Sequence, residues 1–580
     1  MSAPHPGIQA RQSGQAIGAI PAWLVVALAA ALGPLLVAGL PGSFASSGQD
    51  VGAAMLWLHG MAESLGRGEV WPHWLADGNR GFGSPAFFFY PPGAYWIGSA
   101  VQATLGLDTG QALVATALLW RLAACALAYA WLRQQATHGA ALAGAALFAL
   151  QTYNMLVNPL VRFAFSEMAG TCALLLALIA TGTRRPLLWV PPAFAALVLT
   201  HLPMAELAGG VLPAWAFVAA GAGRAALRRA AITLAGCLLG AGIAGAYLLP
   251  ALLLLPEINQ AGWDTGGLTT WSGHFLLEPV QPPKAPVQFW LMNAGLLIMI
   301  GSALALARGM ARRDRRFAAG AVLFGLLCLL MTRLSSPVWA LVPLLQRVQF
   351  PWRLMPFAVA VWTALVARRL DQPAVPDRWS GARIAALAAL LLAGLALWIP
   401  YSAVTARLPA FARHDWTRLQ IPPPGPRPRP LVNPPEYAPR AAALAGWRAE
   451  VPTTDAILQD RLARSRATAP DLRISTQPGG RLRVTGRLAA PSGVLLPQFA
   501  FPGWSLAGAP PGTALATDPG SGLLRLDLPA GAVDLAVFRT TTEAERIGWA
   551  VSATILLFWL LLLLLARRPR DPASPSPQQP

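Results

Sequence analysis

The sequence predicts a mostly α, polytopic membrane protein that carries a small extracytoplasmic β-sandwich-like domain near its C-terminus. Three observations lead there. Of 580 residues, 55% are hydrophobic and only 12% are charged, with mean hydropathy +0.49. Apolar runs recur from Ala22 to Leu565. After about Asp471 these give way to short alternating runs punctuated by Gly and Pro. A soluble chain of this length would divide into three or four domains, and the composition excludes that. The net charge of +19 comes from 44 Lys+Arg against 25 Asp+Glu, and Lys284 is the only lysine. The arginines sit in short clusters between apolar runs, the pattern of the positive-inside rule, so no nucleic-acid partner is expected. Cys125, Cys172, Cys237 and Cys328 all lie inside apolar runs. No disulfide and no cysteine-based metal site is expected from them.

Ala22–Leu40 reads as the first span. It is too long and poorly terminated for a cleaved signal peptide, although compatible with a signal anchor. Further spans are expected at Gly110–Leu132, Ala140–Val157, Phe165–Thr181, Leu187–Leu202, Ala205–Gly223, Ala230–Leu254, Val287–Ala307, Phe317–Met331, Leu354–Ala367, Ile384–Pro400 and Ile547–Leu565. The clusters at Arg133, Arg184–Arg185, Arg224/Arg228/Arg229, Arg308–Arg316, Arg368–Arg383 and Arg567–Arg570 follow every second span, which assigns them to the cytoplasm. That parity requires the apolar stretch Phe87–Leu107 to lie in, or dip into, the outer face without crossing. Twelve spans then leave both termini inside. Residues 1–400 form the transmembrane domain, with a large first outer loop at 41–109. Residues 401–546 form a second extracytoplasmic region, 547–566 the final span and 567–580 a cytoplasmic tail.

In the second region Pro422–Pro435 reads as an extended linker. Strands are expected at Leu472–Ser475, Arg481–Thr485, Val494–Phe499, Leu523–Leu528 and Val533–Phe538, the spacing of a small β-sandwich. No internal repeat of helix pairs is evident. The acidic residues Asp518, Asp527 and Asp534 are scattered singly, so this domain is expected to be accessory.

Ionisable residues at the outer helix ends are the functional candidates, because such groups in or near a bilayer are costly to keep. Asp50, in Ser-Ser-Gly-Gln-Asp, precedes a helix with apolar Met55, Leu58, Ala62 and Leu65. It reads either as that helix's N-cap or as a reactive carboxylate. His59 and Glu63 follow at i,i+4, a spacing that suits a metal or a surface pair. Trp71-Pro72-His73-Trp74, Asn79-Arg80-Gly81-Phe82-Gly83-Ser84-Pro85 and Phe87-Phe88-Phe89-Tyr90-Pro91-Pro92 are an interfacial belt or a shaped sugar-stacking wall. Arg162, Glu167, His201 and Glu206 come next, then Glu257, Asp264, His274, Glu278 and Lys284 in one loop. Arg347 and Arg353, in Gln-Arg-Val-Gln-Phe-Pro-Trp-Arg, break the charge rule on the outer side. Snorkelling and a grip on a lipid phosphate both account for them.

The run Gly68-Glu69-Val70-Trp71-Pro72, then Gly81-Phe82-Gly83-Ser84-Pro85, Phe89-Tyr90-Pro91-Pro92 and Tyr95-Trp96, in a loop opening on Asp50, resembles the first loop of GT-C-type membrane glycosyltransferases. The resemblance is nearest to the bacterial and archaeal branch around the YfhO-like proteins, often labelled "6-pyruvoyl-tetrahydropterin synthase-related" membrane proteins. Thr200-His201-Leu202-Pro203, Phe350-Pro351-Trp352-Arg353 and Phe501-Pro502-Gly503-Trp504 fit the same branch. It covers most of the chain in layout. The label's pterin chemistry has no counterpart here, for no soluble synthase domain or His-triad is present in the sequence.

The resemblance implies a multi-pass protein of the bacterial inner (plasma) membrane. The implied activity is transfer of a hexose or pentose from a polyprenyl-phosphate donor to a glycan, lipid or protein acceptor of the envelope, on the extracytoplasmic face. The matching aspartate, Asp50, would be the catalytic base or a ligand of a divalent metal ion. His59, Asn79, Arg80, Tyr90, Arg162, Glu167, His201, Arg347 and Arg353 would bind substrate. No cofactor is fixed by the sequence, and a divalent ion on Asp50 and His201 stays open. Gln49 precedes Asp50 where some members carry two adjacent acidic residues. Ser84 and Ala86 stand where the aminoarabinose-transferase branch has a glutamate, so the expected carboxylate partner of His201 is missing. Two other readings compete. A lipid or polysaccharide transporter would show repeated halves and polar groups near the midplane. A non-catalytic envelope-polysaccharide assembly protein would keep the layout without the activity.

Overall fold

The computed structural model describes residues 49–221, 223–260, 270–279, 286–308, 314–372, 434–447 and 453–567, with five positions between 386 and 392. The expected span Ala22–Leu40, most of Ile384–Pro400 and of the Pro422–Pro435 linker, Asp264, Lys284, and Arg568 and Arg570 of the tail lie outside the described residues.

Helices form where the apolar runs are. Seven are long and apolar enough to cross a membrane: Thr109–Arg133, His138–Arg162, Phe165–Gly182, Leu202–Ala220, Arg224–Ile243, Val287–Ala307 and Glu543–Ala566. The chain is thus a multi-pass helical membrane protein. The expected count of about twelve is not reached among the described residues on length and apolarity. Pro186–Thr200, Arg315–Leu330 and Met355–Leu370 have 15, 16 and 16 residues. At 1.5 Å per residue they reach about 24 Å, short of a hydrocarbon core of about 30 Å. Gly93–Leu105, with 13 residues, is shorter still. The expected Ala230–Leu254 span breaks at Ala244 into Arg224–Ile243 and Gly245–Leu253.

The second long segment is also interrupted. Its α-helix ends at Leu150, and Tyr153–Arg162 continues as a π-helix containing Pro159. Proline lacks the amide that an α-turn would use, and the wider turn leaves carbonyls to be satisfied. Arg121, buried on the neighbouring helix, donates to the carbonyls of Asn154 at 2.7 Å and Met155 at 3.4 Å.

The C-terminal region is a β-sandwich. Its four-stranded sheet has the order β1 (Arg473–Thr476), β2 (Leu482–Leu488), β7 (Gly531–Arg539), β4 (Trp504–Ala507). Its three-stranded sheet has the order β3 (Ser492–Phe499), β6 (Leu523–Leu528), β5 (Ala514–Thr517). All pairs are antiparallel, with registers such as Val484↔Leu535 and Val494↔Leu526. Leu482, Val484, Leu496, Leu526 and Val537 are fully buried between the sheets, so one face of each strand supplies the core. Strands β4 and β5, and the helix Thr453–Ala467 that packs on β3, go beyond the sequence expectation.

The sandwich is docked on the first loop. Trp74 donates to Gln498 at 2.8 Å, Gln498 donates to the Gly81 carbonyl at 2.9 Å, and the Phe499 amide donates to the Phe82 carbonyl at 2.7 Å. Arg539 lies over the rings of Trp74, Phe88 and Phe501 at 5.2–5.6 Å, and His73 meets Glu545 of the last helix at 3.0 Å.

Candidate active site

Asp50 stands at the N-terminus of the helix Val51–Gly66, yet its side chain makes no capping bond to that helix. Instead the backbone is stitched to the π-helix: the Gln49 amide donates to the Val161 carbonyl at 3.2 Å and the Asp50 amide to the Arg162 carbonyl at 2.8 Å. The Asp50 carboxylate faces Arg162 at 3.8 Å and keeps 54% of its side-chain surface open. It is half open to solvent, with Arg162, Arg353 and Glu167 in electrostatic range.

Arg162 is the centre of the cluster. The π-turn and the left-handed Phe163 (φ 52°) bring it over the first turn of Phe165–Gly182, where Glu167 sits. Its Nη1 donates to Glu167 at 2.6 Å and to Asn158 at 3.2 Å, and approaches the Tyr153 hydroxyl at 3.3 Å. Tyr153 also donates to Glu167. The guanidinium stacks 4.6 Å from the Trp352 ring. Trp352 in turn stacks on Phe350 at 4.9 Å, and Arg353 covers the other partner of that pair at 4.7 Å. Gln349, at φ 68°, is in the left-handed region, and the turn it makes carries the acceptors for Arg353: the Val348 carbonyl at 2.5 Å and the Gln349 side chain at 3.2 Å. The buried Arg353 Nε donates to nothing among the described residues.

His201 interrupts two helices, Pro186–Thr200 and Leu202–Ala220. Its Nδ1 accepts from the Met204 amide at 3.2 Å, and its Nε2 faces Glu167 at 3.9 Å. That cap assigns the proton to Nε2 in the neutral ring. Trp57 and Tyr90 pack at 4.1 Å, with Tyr95 and Tyr437 at 5.8 and 5.9 Å from Trp57. They form an aromatic wall beside the charges.

Burial is the largest influence on Asp50 and raises its pKa above the usual carboxylate value. Arg162 and Arg353 work against the rise, and Glu167 adds to it. Tyr90 is pushed up to about 12, first by burial.

The structure therefore brings together Asp50, Arg162, Glu167, His201, Arg353 and Tyr90. It places the other candidates elsewhere. His59 pairs with Glu63 at 3.4 Å on the half-exposed side of its helix, next to Arg67. Asn79 and Arg80, both left-handed, stand in the turn that meets the β-sandwich, with Asn79 donating to the Gly83 carbonyl at 2.8 Å. Arg347 is exposed at the end of Pro343–Arg347, and it and Arg353 are in electrostatic range of Glu206. Sequence reasoning missed Tyr153, Asn158, Trp57 and Tyr437. An aromatic ending the proline run at Pro434-Pro435-Glu436-Tyr437 is the one signal that pointed toward Tyr437.

A divalent ion does not fit the donor set. Arg162 stands between Asp50 and Glu167, where a cation would have to go, and His201 has its Nδ1 lone pair engaged and its Nε2 protonated. Among the described residues no group of three or more His, Cys, Asp or Glu could hold a metal ion.

No family model matches the chain, and no curated protein matches it significantly. Several solved structures are similar, and two of them are informative about length. One is the arabinofuranosyltransferase AftD from Mycobacteria, at 19% identity and TM-score 0.42 over 66% of this chain and 27% of that one. The other is the apo oligosaccharyltransferase of Archaeoglobus fulgidus, at 13% identity and TM-score 0.39 over 75% of this chain and 59% of that one. The chain thus spans less than two thirds of the length of either.

Proposed function

We propose that the protein is a GT-C-like membrane glycosyltransferase that moves a sugar from a polyprenyl-phosphate donor to an extracytoplasmic acceptor. The observation that carries the reading is Asp50: a carboxylate in the position of a helix cap that does no capping, held open beside two arginines and an aromatic wall. In the proposed step Asp50 takes the proton of an acceptor hydroxyl as that oxygen bonds to the anomeric carbon. The bond from that carbon to the donor phosphate oxygen breaks, and the phosphate leaves with the electron pair. Arg353 meets the charge that develops on it, using donors that include the unclaimed Nε. Arg162, already bound to Glu167, fixes the position of Asp50. Tyr90, half-buried and backed by the buried Trp57, offers a face on which a pyranose or furanose ring stacks. The topology that accompanies this reading has twelve crossings, with the Asp50 site on the outer side of the plasma membrane.

The test is a transfer assay with purified protein and a panel of polyprenyl-phosphate sugars, run on wild type and Asp50→Asn. Since the side chain makes no cap, Asp50→Asn folds normally. Asparagine cannot take the proton, so transfer falls by about 10²-fold or more. A folded Asp50→Asn protein with full activity overturns the assignment of the base. Absence of transfer from every donor in wild type removes the enzyme reading.

A further inference from the structure

One cavity of the described structure lies remote from Asp50. It holds about 670 Å³ and is lined by Thr181 and Gly182, at the far end of the helix whose first turn carries Glu167. Fourteen residues separate Glu167 from Thr181, about 21 Å at 1.5 Å per residue. Four guanidinium groups line the cavity, each from a different helix. Arg133 ends Thr109–Arg133, Arg229 is near the start of Arg224–Ile243, Arg316 opens Arg315–Leu330 and Arg368 is in the last turn of Met355–Leu370. Among the described residues the one lining carboxylate, Asp371, already accepts from the Thr137 amide at 3.1 Å.

Two of the arginines are committed. Arg368 pairs with Asp314 at 2.5 Å, and Arg229 donates to the carbonyls of Thr181 and Thr183 at 2.6 and 2.5 Å. Arg133 makes one bond, to the Ala136 carbonyl at 2.6 Å. The Arg316 backbone amide donates to Asp314 at 2.9 Å, while its guanidinium has no hydrogen bond or ion pair among the described residues. Positive-inside arginines ordinarily extend singly into water. Here four, from different helices, line one half-open cavity, with Arg133 and Arg316 exposed and Arg229 and Arg368 half-buried, and a bound anion would offset their mutual repulsion. One wall is apolar: Trp131 and Trp215 meet edge to face at 5.2 Å, beside Val218 and Leu365.

We propose that this cavity binds the phosphate headgroup of an anionic phospholipid, in the leaflet opposite the Asp50 site. Arginine forks suit phosphate oxygens. The indole wall at the level of the helix ends is where the glycerol and first acyl carbons of a lipid lie. The site is independent of the transferase reading.

Dihexanoyl-phosphatidylglycerol is titrated calorimetrically into the full chain in neutral detergent. Dihexanoyl-phosphatidylcholine and glycerol phosphate are the comparison ligands. Wild type is expected to bind the phosphatidylglycerol at least tenfold more tightly than either. Arg133→Gln/Arg316→Gln is expected to lose at least tenfold, whereas the charge-matched Arg466→Gln/Arg473→Gln pair in the β-region keeps wild-type affinity. If the cavity pair does not purify as a folded protein, Arg316→Gln alone decides, since it breaks no bond among the described residues. Unchanged binding in the cavity variant, or equal binding of phosphatidylcholine, overturns the proposal. Equal binding of glycerol phosphate shows a soluble phosphate site instead and overturns the lipid assignment.

Discussion

At the scale of single residues, Asp50 and Glu167 are both carboxylates beside Arg162, and they are expected to behave oppositely. Glu167 is 1% exposed and takes the 2.6 Å contact. Glu167→Gln leaves a buried guanidinium without its counter-charge, which costs roughly 3–5 kcal/mol and is read as a lowered denaturation midpoint. Asp50→Asn removes only the open, 3.8 Å contact and leaves that midpoint near wild type. The pH profile of transfer separates the groups further. A base must be ionised to act, so activity falls as pH drops through the Asp50 pKa, which burial places above the usual 3.8. Arg353 lowers that pKa, so Arg353→Gln shifts the acid limb to higher pH besides reducing rate. An acid limb that stayed in place in Arg353→Gln would separate Arg353 from the base. The ionisable members of this cluster were legible in the sequence because charge at an outer helix end is conspicuous. Tyr153 and Trp57 were not, since a tyrosine or tryptophan in an apolar run is indistinguishable from core until its neighbours are known.

At the scale of elements, sequence periodicity found the helices and most strands but not the interruptions that place the site. The sequence reading ends a span at Val157 and leaves Pro159 and Arg162 in the connection that follows, because nothing in the apolar run before Pro159 announces the change of hydrogen-bond register that makes Tyr153–Arg162 one π-helix. The loop that carries the sandwich is a similar case: its glycines mark a turn, but only the fold reveals what the turn faces. Gly81 and Gly83 both have positive φ, at +90° and +87°. A Cβ at Gly81 meets open space. At Gly83 it falls 2.2 Å from the Trp74 ring and 2.6 Å from the Gln498 amide oxygen, the pair joining loop to sandwich. Gly81→Ala is therefore expected to show backbone strain alone, about 1–2 kcal/mol. Gly83→Ala adds a clash that separates the two surfaces, and its melting temperature should fall clearly below that of Gly81→Ala. Limited proteolysis should then cut within residues 71–89 in the Gly83 variant first. Equal behaviour of the two variants would mean that the Trp74–Gln498 contact does not hold the domains together.

At the scale of the molecule, the arginines argue for an orientation. The ends of Thr109–Arg133, Phe165–Gly182 and Met355–Leu370 meet the starts of Arg224–Ile243 and Arg315–Leu330 around one cavity. Arg229 reaches Thr181 and Thr183, and Arg185 donates to Ala566 at the end of the last helix. The described arginines Arg133, Arg185, Arg229, Arg316 and Arg368 thus gather at a single end of the bundle. Asp50, Glu167, His201 and the first loop, with the sandwich docked on it, occupy the other. On the proposed topology an excess of arginine marks the cytoplasmic side, so the Asp50 site and the sandwich are expected to face outward. Cysteine labelling tests this directly, because the four native cysteines are buried and give a low background. Ser475→Cys, on an exposed strand position, should react with a membrane-impermeant maleimide in intact spheroplasts. Gln134→Cys, exposed beside Arg133, should react only after permeabilisation. The reverse pattern would turn the bundle over. It would place the Asp50 site in the cytoplasm, where an acceptor outside the cell could not reach it, and the proposed transfer would fall with it.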